Sequence, residues 1–340
     1  MKRIITLFFA AMLAGQAWAE DFIIGNLKYT VTDAEKHEVS VGIISFDNPP
    51  EGDLVIPAEV ENEGVIYAVV SIGWSAFYGS SNLTSITIPK SIKNIGRGAF
   101  SACYKLESIN VVNDNNSFYS VDGVLFDKSK KTLLRYPSAK TGTTYIISDG
   151  IIGIGDMAFY DSDLTTIILP ESVTRIDESA FMYCWYLNSI TIPKGVISIE
   201  PDAFDDCAIA AFNVVEDNPE FSSVDGILFN KDKTVIVRYP PQKTNATYTL
   251  PNGVLRIGNN AFCDCRGLTS VIIPNGITSI GQYAFSGCDG LSTIEIPNSV
   301  TEIGMLAFQF CDGLTTFEIP NRITEIRMQT FDNCWNLTSV

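Results

Sequence analysis

The chain has 340 residues, 39 of them acidic against 23 basic, and a formal charge of −16. A surface this negative repels phosphate backbones and anionic lipid headgroups, which excludes nucleic acid and acidic membranes as partners. With 46% hydrophobic and only 18% charged residues, the composition also excludes a disordered chain and calls for an extensive core.

In chain order, residues 1–19 read as a secretory signal peptide. Lys2 and Arg3 form a basic head, residues 4–15 are an apolar run, and Ala17-Trp18-Ala19 offers small residues for a cut before Glu20. The expectation is an exported protein: secreted, on the outer cell surface, or in the periplasm. No later stretch approaches 18 consecutive apolar residues, so no membrane span is expected. Residues 20–71 contain alternating runs at 27–32 and 38–44 and a degenerate strand-proline phrase, Leu54-Val-Ile-Pro57. They are expected to form an N-terminal β-cap shielding the first coil of the repeats beyond residue 71.

From residue 72 to 340 one phrase recurs. Phe77, Phe100, Phe159, Phe181, Phe204, Phe262, Phe285, Phe308 and Phe331 all close it, eight of them preceded by Ala and the ninth by Thr330. The clearest copies start at Ile257, Ile280 and Ile303, with a period of 23 residues. In residues 268–273 the apolar positions 268, 271 and 273 alternate with 270 and 272, which predicts a short strand with Ser270 and Ile272 outward. Pro274 ends the ladder for want of an N–H, and the segment from Gly281 to Phe285 is expected to form a helical or 3₁₀ turn. One such coil cannot bury its own apolar residues; a stack can.

Two coils are interrupted, at about 110–153 and 213–256. The two insertions align without a gap, 103 residues apart, and share the runs SVDGVLFDKSKKTLLRYP and SVDGILFNKDKTVIVRYP. Each reads as a β-hairpin around a polar turn at 127–130 or 230–233. The chain closes on Leu337-Thr-Ser-Val340, inside an expected strand.

The unit [IV]Gxx[AT]FxxCxxLxx[IV]x[IL]Pxx[IV]xx resembles the 23-residue bacterial leucine-rich repeat of the BspA-like, or treponemal, type. The resemblance covers roughly residues 54–340. It implies an α/β solenoid: a leucine-rich-repeat stack of about nine coils with a parallel β-sheet on its concave face. Proteins of this type are commonly adhesins, which implies binding of a host matrix protein, another cell-surface protein or a polysaccharide.

Nothing in the sequence carries catalysis. There is no GxSxG, no glycine-rich phosphate loop and no HExxH, and His37, the single histidine, reads as a solvated strand residue. Seven cysteines, 103, 184, 207, 265, 288, 311 and 334, stand three residues after a repeat Phe, where Ser80 and Ser162 stand in two other coils. A slot that takes Cys or Ser asks for a small buried side chain, so free thiols are expected there. Cys263 falls outside the slot and is the candidate reactive thiol. No metal site and no cofactor are expected. Glu295 with Glu318, and Asp289 with Asp312, form acidic ladders whose spacing follows from stacking alone.

The candidate ligand-binding residues are the outward strand positions Thr87, Asn110, Thr191, Asn213, Glu295 and Glu318, with the aromatics Trp185 and Tyr186 after the Cys slot; Tyr104 and Trp335 stand at the position of Trp185 in other coils. The expected function is non-enzymatic binding or adhesion through the concave face. Two alternatives are a structural component that self-associates through its C-terminal edge, and a polysaccharide hydrolase using an acidic ladder.

Overall fold

The computed structural model describes residues 21–43, 48–129 and 131–340; residues 1–19, expected from the sequence to be a signal peptide, lie outside them. The chain forms two compact units, Met1–Tyr119 and Ser120–Val340.

In the first unit the strands Phe22–Ile24, Leu27–Asp33 and Glu38–Ile43 run antiparallel. Glu38–Ile43 then pairs in parallel with Val65–Ile72, which is joined antiparallel by Glu59–Asn62 and parallel by Asn94–Ile95. A second sheet stacks Gly52–Val55, Leu83–Ile88 and Ser108–Val111 in parallel. His37 is not in a strand. It occupies the turn between the second and third strands with φ 51°, a left-handed conformation in which Asn, Asp and His are over-represented.

The second unit repeats a coil with two short strands. The strands Thr247–Thr249, Ser270–Ile272 and Thr293–Glu295 form one parallel sheet, here termed the strand side. The tail of each coil adds to another ladder, Val235–Arg238, Arg256–Ile257, Ser279–Ile280 and Glu302–Ile303. Alternation holds as the spacing predicts: Leu268, Val271 and Ile273 are buried and Ile272 is exposed. The repeat proline opens the turn between the two strands. Its carbonyl accepts from the amide three residues on, as at Pro297–Val300 (3.0 Å) and Pro320–Ile323 (3.0 Å).

The α/β expectation is corrected here, because no helix occurs among the described residues. On the turn side the segment around each repeat Phe is a chain of tight turns. In most coils the residues two before and two after that Phe adopt left-handed φ: Met157 and Asp161, Ser179 and Tyr183, Asn260 and Asp264, Tyr283 and Gly287, Leu306 and Phe310, Gln329 and Asn333; around Phe204 only Asp206 does. A left-handed residue every fourth position breaks a right-handed helix before it can close a second turn. The conformation costs a residue with a Cβ about 1 kcal/mol or more, and packing offsets that cost.

Packing comes from the repeat Phe. Phe159, Phe181 and Phe204 stack with centroids 5.3 and 5.1 Å apart and planes within 4°; Phe262, Phe285 and Phe308 stack at 4.9 and 5.2 Å with planes within 5°. The preceding Ala is fully buried, and its carbonyl takes the Phe amide of the previous coil, as in Phe262 to Ala284 and Phe285 to Ala307, both 2.7 Å. A larger side chain there would keep the coils apart. Each fully buried Phe contributes about 2–3 kcal/mol of apolar burial.

The insertions keep this ladder with different residues. Each insertion is a three-stranded antiparallel ribbon, Phe221–Val224, Ile227–Asn230 and Val235–Arg238 in the second copy. It closes on Arg-Tyr where other coils have Ala-Phe. Tyr136 and Tyr239 donate their amides to Ala158 and Ala261, both at 2.7 Å, and stack on Phe159 and Phe262 at 5.6 and 5.3 Å. A count of Phe phrases leaves these two rungs out. The insertion coil has no turn-side loop of its own, and the arginine side chain takes that space.

Candidate functional site

Parallel register puts equivalent outward residues in line. In the first unit Val55, Thr87 and Asn110 are register partners, and beside them Asp53, Ser85 and Ser108. In the second, Thr191 faces Asn213, Ile146 faces Ile168, and Thr249, Ile272 and Glu295 form one row. Asn110, Thr191, Asn213, Glu295 and Glu318 are exposed and Thr87 is half-buried. Glu318 lies past the single bridge Thr316–Ser339, outside any named strand. The strand side is therefore several short sheets: Ser189–Ile192 with Ala211–Val214 stands apart from Thr144–Ile146 with Thr166–Ile168.

The outward rows are more apolar than hydroxyl-rich columns suggest. Val55, Ile146, Ile168 and Ile272 all point to solvent, Val55 and Ile146 at more than 60% exposure. Asp53 anchors the first unit's row, accepting from Ser85 Oγ (2.7 Å) and Thr84 Oγ1 (3.0 Å), and these two bonds hold its carboxyl below the usual range. Sequence reading missed Asp53, Val55 and Ile146. Their signal was the alternation in the degenerate strands at 52–55 and 144–146, which lack the full repeat phrase.

The aromatic candidates lie on the turn side. Trp185 is 47% exposed and Tyr186 60%. Trp185 stacks on Tyr183 (5.8 Å, 26°), which meets Tyr160 edge-on at 5.2 Å. Trp185 also lines a cavity of about 240 Å³ with Asp206, Gln242, Lys243, Asp264 and Arg266. The strand-side candidates and Trp185 belong to separate surfaces.

The cysteines are free. In six coils the slot thiol donates to the carbonyl of the aromatic residue one coil back: Cys103 to Phe77 (3.1 Å), Cys184 to Phe159 (3.2 Å), Cys265 to Tyr239 (3.8 Å), Cys288 to Phe262 (3.1 Å), Cys311 to Phe285 (3.1 Å) and Cys334 to Phe308 (2.9 Å). A small side chain with one proton to give suits the slot in these six coils, whereas Ser80 Oγ in the first coil is buried without a hydrogen-bond partner. Burial pushes the Cys207 and Cys265 thiols up to about 12. Cys263 is corrected as a reactive thiol. It is buried, and burial followed by the charge of Asp205 keeps it protonated.

Among the described residues no group of three or more His, Cys, Asp or Glu is placed to hold a metal ion. The Asp289–Asp312 ladder is occupied internally. Arg266 Nε is 3.9 Å from Asp289, and Asp312 Oδ1 accepts the Trp335 amide at 3.2 Å.

The model of the BspA-type leucine-rich repeat region matches residues 64–137, 136–232 and 242–340, in six copies. The chain belongs to that family. Among solved structures it is similar to a leucine-rich cell surface protein from Faecalibacterium prausnitzii, with 28% identity and a TM-score of 0.59 over 93% of this chain and 87% of that one. It is also similar in fold to a leucine-rich-repeat protein from Eubacterium ventriosum, with 21% identity and a TM-score of 0.52 over 93% and 76%. Among curated proteins none matches. No helix in the described residues is long and apolar enough to cross a membrane.

Proposed function

We propose that this BspA-type repeat protein is an exported, non-enzymatic binding or adhesion protein, and that its ligand is an extended protein or polymer laid across the strand side. The observation that carries the reading is the row Thr249–Ile272–Glu295, in which parallel register sets side chains of equal rank side by side and exposed. Such a row offers repeated contacts at about 4.8 Å intervals, a spacing suited to an extended ligand and not to a compact one. In the second unit Thr191, Asn213, Glu295 and Glu318 supply polar contacts and Ile146, Ile168 and Ile272 apolar ones; in the first unit Thr87 and Asn110 with Val55 form a row of the same kind, and the antiparallel strands at 22–43 cap the first coil. The likeness to a cell surface protein supports a place outside the cytoplasm.

The test is a binding screen of the mature chain, from Glu20, against extracellular-matrix proteins, mucins, cell-surface proteins and polysaccharides, with a salt series on each hit. A saturable hit weakened by Glu295→Lys/Glu318→Lys supports the reading. Binding indifferent to those changes and to Ile168→Asp/Ile272→Asp overturns the strand-side assignment.

A further inference from the structure

The cavity under Trp185 forms where a shortened loop meets an insertion. In most coils two residues separate the slot Cys or Ser from the next core Leu, as in Cys184 to Leu187 and Cys265 to Leu268; between Cys207 and Ile209 there is only Ala208. Ser162 and Leu164 are equally close, but the next coil there brings the full loop that bears Trp185. After Cys207 comes the second insertion, which brings none, and a notch is left beside Trp185. Cys207 lines the notch, Asp206 and the pair Asp264–Arg266 form part of its wall, and the segment from Pro241 to Thr244 completes it.

The notch combines a braced aromatic face with polar groups. Tyr183 stacks on Trp185, so the indole is held before any ligand arrives. Arg266 bridges Asp206 (3.4 Å) and Asp264 (3.2 Å), which fixes a planar array of donors and acceptors. The Gln242 side chain is exposed, and its carboxamide has no hydrogen-bond partner among the described residues. Lys243 is turned away to Asp225, with its ammonium 2.8 Å from the carbonyl and 3.0 Å from the carboxylate.

We infer that this notch is a carbohydrate subsite that takes one neutral pyranose ring of a glycan. The apolar face of the ring lies on Trp185, and its hydroxyls exchange hydrogen bonds with Gln242, Asp206 and Arg266. Three features favour this occupant. At about 240 Å³ the notch is smaller than a typical small-molecule pocket, as suits a single ring with the rest of the chain outside. Its groups include both donors and acceptors, as vicinal hydroxyls require. Its two carboxylates are already bridged by Arg266, so an acidic sugar meets surplus negative charge and a cationic side chain meets carboxylates already occupied. This site is distinct from the strand-side rows and shares with that reading only the premise of binding without catalysis.

The experiment titrates the mature chain with soluble oligosaccharides of neutral hexoses and of N-acetylhexosamines, following indole fluorescence and calorimetry. Oligogalacturonate and an oligo-lysine peptide serve as charged comparisons. A neutral oligosaccharide should bind saturably, at least tenfold more weakly to Trp185→Ala, about threefold more weakly to Gln242→Ala, and with unchanged affinity to Trp335→Ala. Trp185→Phe should restore part of the loss. Circular dichroism and melting curves establish that each variant is folded. The subsite is overturned by no neutral glycan binding, by binding that survives Trp185→Ala, or by oligo-lysine displacing the glycan as a better ligand. A protein ligand lost in Glu295→Lys/Glu318→Lys but kept in Trp185→Ala would leave the strand-side reading standing alone. The reverse pattern would leave this one.

Discussion

Arg238 donates through one guanidinium nitrogen to Asp205 Oδ1 at 2.7 Å, from a side chain only 2% exposed. The same nitrogen reaches the carbonyl of Asn260 (2.6 Å), and the other reaches those of Phe204 (3.2 Å) and Cys263 (3.3 Å). Asn260 Nδ2 closes the circuit on Asp205 Oδ2 at 2.9 Å. The arginine thus ties together the turn-side loops of the coils before and after the insertion, where the insertion supplies no loop. Burial pushes the Asp205 carboxyl up despite Arg238, while the guanidinium stays charged at any accessible pH.

Removing Arg238 should therefore be among the most damaging single changes. Arg238→Met removes four hydrogen bonds and takes the cation from the mostly buried Asp205 carboxylate, and about 3–5 kcal/mol of stability should be lost. Adding Asp205→Asn should recover part of it. Denaturant melts of the two single variants and the double variant measure the coupling; simple additivity would show that the pair does not act as a unit.

Asn218 is 0% exposed and fully used. Its Nδ2 donates to the carbonyls of Pro193 (2.7 Å) and Val196 (2.9 Å), and its Oδ1 accepts the amides of Glu220 (2.9 Å) and Phe221 (2.7 Å). Asn218→Ala should destabilise by about 2–4 kcal/mol, from backbone groups left unpaired. Asn218→Asp should be at least as harmful, because a carboxylate cannot donate to Pro193 and Val196. A midpoint in urea unchanged from the parent would show that water replaces the side chain.

Stability should fall as pH rises through the mildly acidic range. Burial first, then the nearby Asp264, pushes the Asp206 carboxyl up to about 6, against the pull of Arg266. The folded state then holds a proton that the unfolded state has released from about pH 4 upward. The stabilisation is present at low pH and is lost as pH rises through about 6. Burial pushes Glu200 and Asp205 in the same direction. The melting temperature at about pH 5 should exceed that at about pH 7.5, and Asp206→Asn should flatten the slope by about 1–2 kcal/mol. A slope unaffected by that change would move the cause to another group.

Thiol chemistry should separate one cysteine from the rest. Cys334 is half-buried and the other seven are buried. A chromogenic disulfide reagent should modify Cys334 quickly in the native protein and the others only as fast as the chain unfolds. In denaturant all eight should react; fewer would mean that a disulfide has formed.

Backbone strain on the turn side gives opposite results for two exchanges. Gln329 is exposed with φ 57°, so Gln329→Gly should be neutral to stabilising, up to about 1 kcal/mol. At Gly287 φ is 71°, and a Cβ would lie 2.6 Å from Asp264 Oδ1. Gly287→Ala should cost about 1 kcal/mol or more. Paired thermal melts decide both.

The repeated parts of the fold were legible because a periodic core writes its positions many times. Leu268, Val271 and Ile273, the Ala-Phe phrase and the thiol slot each have copies that vote. The turn side was misread as helical because left-handed φ at Met157, Tyr183, Tyr283 and Leu306 is imposed by stacking, and none of these residues announces it. The Arg-Tyr rungs at 135–136 and 238–239 were visible as a shared motif, but their equivalence to Ala-Phe needed the amide partners Ala158 and Ala261. Trp185 and Tyr186 were found as exposed aromatics. Asp206, Gln242 and Arg266 were not connected with Trp185, because the contact depends on a shortened loop next to an insertion, which together bring distant segments to one notch.

The stacking bonds also bear on how the chain finds its partner coils. A thiol-to-carbonyl bond or a Phe-to-Ala amide bond is the same from coil to coil, so a stack slipped by one whole repeat satisfies nearly all of them. Asp205 instead joins particular side chains, Arg238 and Asn260, which the coils flanking the second insertion bring together. That circuit serves as a bookmark in a text of near-identical lines, fixing which coils flank the second insertion. A version of this protein rebuilt from consensus coils alone would gain regularity and lose its single address, refolding into a population of shifted arrays.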